Sequence, residues 1–296
     1  MVAETPPDFR SGFVALVGRP NVGKSTLLNA LVGQKIAITS PVAQTTRNRL
    51  RGILTTAQAQ IILVDTPGIH KPHHLLGSVL VENAIRSIKA VDLVVLVVDG
   101  SVPFGRGDQF IFDLIQRAGV PYLIGINKTD RCQDEQTIAT YQSLGEWVTF
   151  SALLESPIDR LQDAICRHLP PGPHYYPPDM VTDQPERFIM AELIREQILM
   201  HTREEVPHSV AVTIDRVEEQ KHLTAVLATI YVERDSQKRI LIGEKGQMLK
   251  TIGSLARVQM QKMIMGKVYL ELFVKVQPKW RSSRLHLSEL GYHTKD

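Results

Sequence analysis

The chain has 296 residues, 43% hydrophobic and 22% charged, with a net charge of +3 and two cysteines. That length fills one large domain or two ordinary ones, and the composition excludes an intrinsically disordered chain. Cys132 and Cys166 alone exclude a disulfide framework and a four-cysteine zinc site; no apolar run reaches membrane-spanning length, the first ten residues hold no secretory core, and the cytosol is the expected compartment.

Charge is unevenly spread. Residues 1–179 carry 16 Lys+Arg and 16 Asp+Glu, whereas eleven Lys+Arg between Lys238 and Arg284 face only Glu244 and Glu271. A basic block of that density predicts an anionic partner, because a merely solvated surface mixes its signs.

In chain order, Phe13–Val17 reads as a buried strand. It runs into Gly18-Arg-Pro-Asn-Val-Gly-Lys-Ser25, which fits the phosphate-loop pattern. Gly18 and Gly23 permit the tight turn that makes successive N–H groups converge on a phosphate. Asn21, Val22, Gly23 and Thr26 complete the expected cradle, Lys24 reaches the β and γ oxygens, and the Ser25 hydroxyl is placed for Mg²⁺. A helix from Thr26 to Val32 points its N-terminus at the phosphates. Alone, the pattern also fits an ordinary strand-to-helix turn with a surface lysine.

Ala37–Arg51 is polar and aperiodic, a loop long enough to be functional. Thr45 and Thr46 are both candidates to bring a hydroxyl to Mg²⁺ and sense the γ-phosphate, although such a pair is also an ordinary β-propensity feature. The strand beginning at Gln60 ends in Asp65-Thr-Pro-Gly68. There Asp65 can hold Mg²⁺, directly or through water, and the Gly68 N–H can meet the γ-phosphate.

Leu93–Asp99 and Tyr122–Ile126 read as further buried strands. The second leads into Asn127-Lys128-Thr129-Asp130. The Asp130 carboxylate can accept from guanine N1–H and the 2-amino group, which adenine cannot offer. Asn127 can tie loops together, and the Lys128 stem can pack over the base. A last strand, Trp147–Ser151, presents Ser151 and Ala152, whose backbone can meet guanine O6. Helices are expected at about 75–89, 108–118, 135–144 and 157–168, giving an α/β, doubly wound, mostly parallel sheet. The four motifs together predict a GTP-hydrolysing site. Ile69 stands where small signalling GTPases carry a water-orienting glutamine, so intrinsic turnover should be slow. Asn21 is a candidate to hold a monovalent cation, and His70, His73 and His74 read as a solvated switch loop rather than a metal set.

Leu169–Pro178 contains five prolines and cannot continue a helix or sheet. It reads as a linker over 170–180, between a nucleotide-binding domain (1–169) and a smaller α+β domain (181–296). In the latter, Phe188–Met200 is an amphipathic helix and Ala211–Val217 and Leu223–Glu233 are strands. A long helix follows to about Met265, then a strand over Val268–Val276. Met248, Met260, Met263 and Met265 read as core filling. Ahead of that helix lies Ile242-Gly243-Glu244-Lys245-Gly246, which with Lys250 matches the Gly-x-x-Gly loop of a type II KH domain. Its glycines admit close approach of a nucleic-acid backbone, and such loops clamp about four nucleotides of single strand.

Together these stretches resemble the Era family of bacterial GTPases over nearly the whole chain. The resemblance rests on Gly-Arg-Pro-Asn-Val-Gly-Lys-Ser-Thr-Leu-Leu-Asn, Ala-Gln-Thr-Thr-Arg, Asp-Thr-Pro-Gly, Asn-Lys-x-Asp, Ile-Gly-x-Lys-Gly and the closing Leu290-Gly-Tyr292. It implies a switch using GTP/GDP and Mg²⁺, with K⁺ held at Asn21. Lys24, Asn21, Thr46 and Gly68 would serve hydrolysis. It implies binding to the 3′ end of 16S rRNA, a part in 30S subunit maturation and partial association with the inner face of the cell membrane. Nothing demands more than a monomer. The rival is a nucleotide-gated scaffold for a protein or membrane partner, with negligible turnover.

Overall fold

The computed structural model describes residues 8–42, 45–47, 50–69, 85–86, 88–131, 134–264 and 266–292. They fall into two compact units. Described residues up to 37, from 46 to 69 and from 85 to 183 form the first; 38–42, 45 and 184–292 form the second.

The first unit runs β1 (Arg10–Val17), α1 (Lys24–Val32), β2 (Leu50–Thr55), β3 (Ala59–Asp65), β4 (Leu93–Asp99), α2 (Arg106–Ala118), β5 (Tyr122–Asn127), a 3₁₀ turn (Thr129–Arg131), α3 (Glu135–Gln142), β6 (Trp147–Thr149) and α4 (Ile158–His168). Its sheet is ordered β2-β3-β1-β4-β5-β6, parallel except for the β2–β3 pair. Every residue of β3 and β4 is buried, as expected of strands covered on both faces. Strand order reverses around β1, and that reversal opens a crevice at the carboxyl ends of the strands. Of the helix expected over 75–89, residues 85–86 and 88–89 are helical and the rest lies outside the described residues.

Two features depart from the sequence expectations. Strand β2 occupies the end of what reads as a loop, because Gly52 interrupts its apolar pattern. A Cβ at Gly52 would fall 2.9 Å from Val32 Cγ2 and 3.2 Å from Leu28 Cγ, so the glycine lets α1 lie directly on the strand. The proline-rich stretch expected as a linker is instead bound along the first unit. Ser11 N–H donates to the Pro170 carbonyl (3.1 Å) and Gly172 N–H to Phe9 (3.0 Å). Buried Gln60 accepts from the N–H groups of Tyr175 (2.7 Å) and Tyr176 (3.0 Å) and donates to the Tyr176 carbonyl (2.9 Å). Arg51 ion-pairs with Asp183 at 2.6 Å. Proline denies this segment helix and sheet, but it does not deny it side-chain and carbonyl partners.

The second unit runs α5 (Glu186–His201), α6 (Val206–Ser209), β7 (Ala211–Gln220), β8 (Leu223–Val232), α7 (Asp235–Ile242), a 3₁₀ turn (Glu244–Gly246), α8 (Gln247–Met263), β9 (Lys267–Val276) and α9 (Arg284–Glu289). Strands order β7-β8-β9, with an antiparallel hairpin and then a parallel pair reached through α7 and α8. Along β8, Val226, Ala228, Ile230 and Val232 alternate inward to meet Leu193, Ile194 and Ile198 of α5 and Ile252, Ala256 and Met260 of α8. Met248 and Met263 pack against the same core, while Met265 lies outside the described residues. Trp280 is fully buried, donates its indole N–H to the Ser209 carbonyl (2.9 Å) and stacks on Tyr292. Ile38 and Val42, from the loop after α1, also belong to this core.

Gln60→Ala should strip the acceptor from two backbone N–H groups and destabilise the first unit by about 2 kcal/mol. Urea unfolding measures the loss, and limited proteolysis should show faster cleavage within 170–180.

Candidate nucleotide site and nucleic-acid interface

The phosphate loop is shaped by what its glycines leave out. A Cβ on Gly18 would lie 2.3 Å from the Val97 carbonyl, and one on Gly23 2.3 Å from Asn127 Nδ2. Gly23 has φ +99° and Asn21 φ +64°, so the chain winds through the left-handed region just before α1. No side chain caps the α1 N-terminus and its first turn holds no acid. Its N–H groups therefore face a place suited to an anion.

Lys24 is buried, and its ammonium donates to the carbonyls of Gly18 (3.1 Å) and Arg19 (2.9 Å). Burial lowers its pKa to about 8, against the opposing pull of Asp65. Such an ammonium gains by exchanging neutral carbonyls for phosphate oxygens. Asn127 ties the loop down: its Nδ2 donates to the Val22 carbonyl (2.8 Å), and its Oδ1 accepts from the Ala152 N–H (2.9 Å). Lys128 donates to the Asn21 carbonyl (2.7 Å) and pairs with Asp99 (2.6 Å). Arg19 is held by buried Asp108 of α2 at 2.8 Å. The sequence expectations contain neither Asp99 nor Asp108 as a support. For Asp99 a signal existed, an acid at the end of a buried strand; for Asp108, which also caps α2 by accepting from Gly105 N–H, there was none.

Three oxygens converge beside the loop. Asp65 Oδ2 accepts from Ser25 Oγ (2.6 Å) and Thr46 Oγ1 (3.0 Å), and the two hydroxyls are 2.8 Å apart. Asp65 is fully buried, and its Oδ1 has no hydrogen-bond partner among the described residues. Burial raises its pKa, opposed by Lys24 and the two hydroxyls. A buried carboxylate with one oxygen unmatched, flanked by two hydroxyls, is a hard-oxygen set that fits Mg²⁺. Among the described residues no group of three His, Cys, Asp or Glu forms a metal site.

The two threonine candidates separate here. Thr45 does not join the set: its hydroxyl donates to the Val42 carbonyl at 2.6 Å, and its own carbonyl accepts from Arg195.

Gly68 packs against the loop, where a Cβ would meet Pro20 N at 2.8 Å. Ile69 is buried with Ala15, Val17 and Ile88, so its side chain is core and cannot orient water. His70, His73 and His74 lie outside the described residues. Asp130 stands in the 3₁₀ turn after β5, its carboxylate 3.7 Å from Arg131 Nε. The N–H groups expected to face guanine O6 are engaged within the unit, Ser151 with the Ser156 carbonyl (2.6 Å) and Ala152 with Asn127. The loop's own closure uses them.

In the second unit, α7 stops at Gly243, which has φ +71° and ψ 180°. A Cβ there would sit 2.7 Å from Met248 Cβ. Lys245 (φ +50°) and Gly246 (φ +79°) continue the turn into α8, whose first turn carries no acid. Ile242 is half-buried; Glu244, Lys245 and Lys250 are exposed, as are Arg257 and Lys262 along α8. The loop thus offers backbone, positive charge and a helix N-terminus together.

A family model described as 50S ribosome-binding GTPase matches residues 13–128, and one described as KH domain matches 205–281. GTPase Era of a Nostoc species is 64% identical over all of this chain and 93% of its own length. That of a Synechocystis species is 61% identical over all of this chain and 96% of its own. Among solved structures, Era in complex with MgGDPNP and nucleotides 1506–1542 of 16S ribosomal RNA superposes with a TM-score of 0.93 at 38% identity, covering 97% of this chain and 100% of that one. A point variant of Era from Aquifex aeolicus bound to GDP·AlF4⁻ gives 0.92 at the same identity, again over 97% of this chain and 100% of that one. With a guanine-nucleotide site on one unit, a Gly-x-x-Gly loop on the other, and relatives this similar along its whole length, the chain belongs to the GTPase Era family.

Proposed function

We propose that this chain is a GTP-hydrolysing switch that binds 16S rRNA near its 3′ end through the second unit and assists assembly of the 30S subunit. The observation that carries the reading is the combination, in one chain, of the Ser25–Thr46–Asp65 oxygen set with a Gly243–Gly246 loop whose Glu244 and Lys245 are exposed.

GTP enters as substrate, and Asp130 selects guanine over adenine by its two acceptor oxygens. Lys24 moves its ammonium from the Gly18 and Arg19 carbonyls to the β and γ oxygens. Ser25, Thr46 and Asp65 would hold Mg²⁺ and Asn21 a K⁺, whose charges offset those building on the phosphates. The Gly68 N–H meets the γ-phosphate. Ile69 contributes no polar group, and slow intrinsic turnover follows. In the second unit, the Gly243–Gly246 backbone clamps single-stranded RNA, with Lys245 and Lys250 beside it. RNA and GTP should then strengthen each other's binding by the same factor. A peripheral contact with the inner face of the cell membrane is part of the same reading. No helix among the described residues is long and apolar enough to cross a bilayer, and exposed Lys250, Arg257 and Lys262 suit anionic lipid.

The deciding experiment is titration of a strand matching the 16S rRNA 3′ end against a base-scrambled control, with a non-hydrolysable GTP analogue and then with GDP. Preference for the matched strand, enhanced by the analogue, is expected. Equal binding to both strands in both states would favour the nucleotide-gated scaffold. Thr46→Ala should raise the Mg²⁺ concentration for half-maximal GTP hydrolysis about tenfold, a loss of about 1.4 kcal/mol. Thr45→Ala loses only a local hydroxyl bond and should shift that midpoint by about threefold at most. Gly243→Ala, forced into a region that glycine alone favours, should weaken RNA binding while GDP affinity is unchanged.

A further inference from the structure

Asp99 is the last residue of β4 and stands beside Asn127, the last residue of β5, in the parallel register of the two strands. Gly100 lets the loop after β4 close against that end of β5. Its N–H donates to the Asn127 carbonyl at 2.8 Å, and a Cβ on it would fall 2.9 Å from Ile126 Cγ2 and 3.1 Å from the same carbonyl. The Asp99 carboxylate thereby meets Lys128, the first residue after β5.

Its two oxygens divide their partners. Oδ1 accepts from the Ser101 N–H (3.0 Å) and hydroxyl (2.6 Å), which closes the turn of its own loop. Oδ2 accepts from the Lys128 ammonium at 2.6 Å, and the same ammonium donates to the Asn21 carbonyl at 2.7 Å. Burial works against a charge on Asp99, yet Lys128 and Ser101 outweigh it and hold the carboxyl below its usual range. Closing the turn needs only Oδ1, and an asparagine would serve, so the turn does not account for a carboxylate at this position. What an asparagine cannot do is hold an ammonium as an anion does.

Lys128 itself is held against its preferences. Its φ is +63°, a left-handed conformation that a lysine keeps only where its surroundings fix it. Its stem loses much rotamer freedom when ordered, and one bond to a neutral carbonyl is a weak offset. The charge-assisted bond to Asp99 is the stronger of its two anchors.

We propose that Asp99 is a positioning residue for guanine nucleotide: by anchoring the Lys128 ammonium it fixes the lysine stem where the base is to lie. Asp99 acts through Lys128 and not by contact. The consequence is selective. Binding contributed by the base responds to Asp99, whereas binding contributed by the phosphates does not, because Lys24 and the α1 N–H groups are untouched and Asn127 still holds the Val22 carbonyl. The inference rests on the nucleotide reading given above.

The test compares the full-length wild type with Asp99→Asn, Asp99→Ser, Lys128→Met, Ser101→Ala and the Asp99→Asn/Lys128→Met double variant. Dissociation of fluorescent GDP is timed, inorganic pyrophosphate (phosphates without a base) is titrated as its competitor, and thermal unfolding is followed in parallel. Asp99→Asn keeps an oxygen for Ser101 but turns an amide toward Lys128. It should speed GDP release about tenfold, within the range of couplings inside one hydrogen-bond network, while pyrophosphate affinity stays within about twofold. Asp99→Ser keeps an acceptor for its own turn, is too short for Lys128, and should act like Asp99→Asn; it carries the test if the first variant does not fold. Lys128→Met should release GDP about as fast, and in the double variant the two effects should not add, because both act through one stem. Ser101→Ala, which removes only a bond within the turn, should leave GDP release within about twofold. Additive effects would overturn the proposal, as would an equal fall for GDP and pyrophosphate, or a lowered unfolding temperature with GDP release unchanged. Wild type failing to bind GDP would remove the nucleotide reading itself and the proposal with it.

Discussion

The Asp65 carboxylate ends a strand with no solvent on any side, and one of its oxygens is matched by two hydroxyls while the other has no hydrogen bond of good geometry among the described residues, although the Thr66 N–H lies close enough to favour the charge. That imbalance organises the first unit. Ser25 reaches it because the phosphate loop turns directly into α1, and Thr46 reaches it from a separate stretch of chain. Lys24, buried beside it, holds an ammonium that would be poorly solvated were it not for nearby carbonyls and the Asp65 charge. Burying a carboxylate and an ammonium together is unfavourable without full pairing. The arrangement makes sense where a cation and a polyphosphate complete the pairing.

Around that centre, loops are fixed to each other rather than to the sheet alone. Asn127 connects the Val22 carbonyl to the Ala152 N–H, so the loops after β1, β5 and β6 share one amide side chain. Lys128 performs a similar task between Asn21 and Asp99. A site assembled this way resists partial disorder, since loosening any one loop leaves buried polar groups of the others unpaired. The second unit follows the opposite principle. Its loop is supported from below, by Met248 against Gly243 and by the α8 core positions, and presents its backbone and charges outward.

The stretch preceding Thr46 is built into the second design. Ile38 in a core, Glu196 on Thr39 and Arg195 on Thr45 make it a part of the second unit by packing, although in sequence it lies between α1 and β2. Domain boundaries read along a chain assign contiguous segments, and a boundary at the prolines of 170–180 has no way to express this exchange. The stretch that holds those prolines is fastened to Gln60 through Tyr175 and Tyr176, to Phe9 through Gly172 and to Ser11 through Pro170, and described residues as far as Asp183 belong to the first unit.

What the sequence determined by itself was local chemistry. Gly18 to Ser25 dictated a tight turn into a helix because the backbone there excludes side chains, and runs such as Leu93–Val98 dictated buried strands because no polar residue interrupts them. What only the tertiary structure decided were choices between equivalent local options. Thr45 and Thr46 are the same residue type side by side, and in space only Thr46 meets Asp65, while the Thr45 hydroxyl bonds the Val42 carbonyl. Gly52 weakens a strand signal that the close approach of α1 then explains. The Ala152 N–H is open to guanine O6 in sequence and engaged by Asn127 in space. In each case the deciding partner is far along the chain, and a pattern of neighbours carries no information about it.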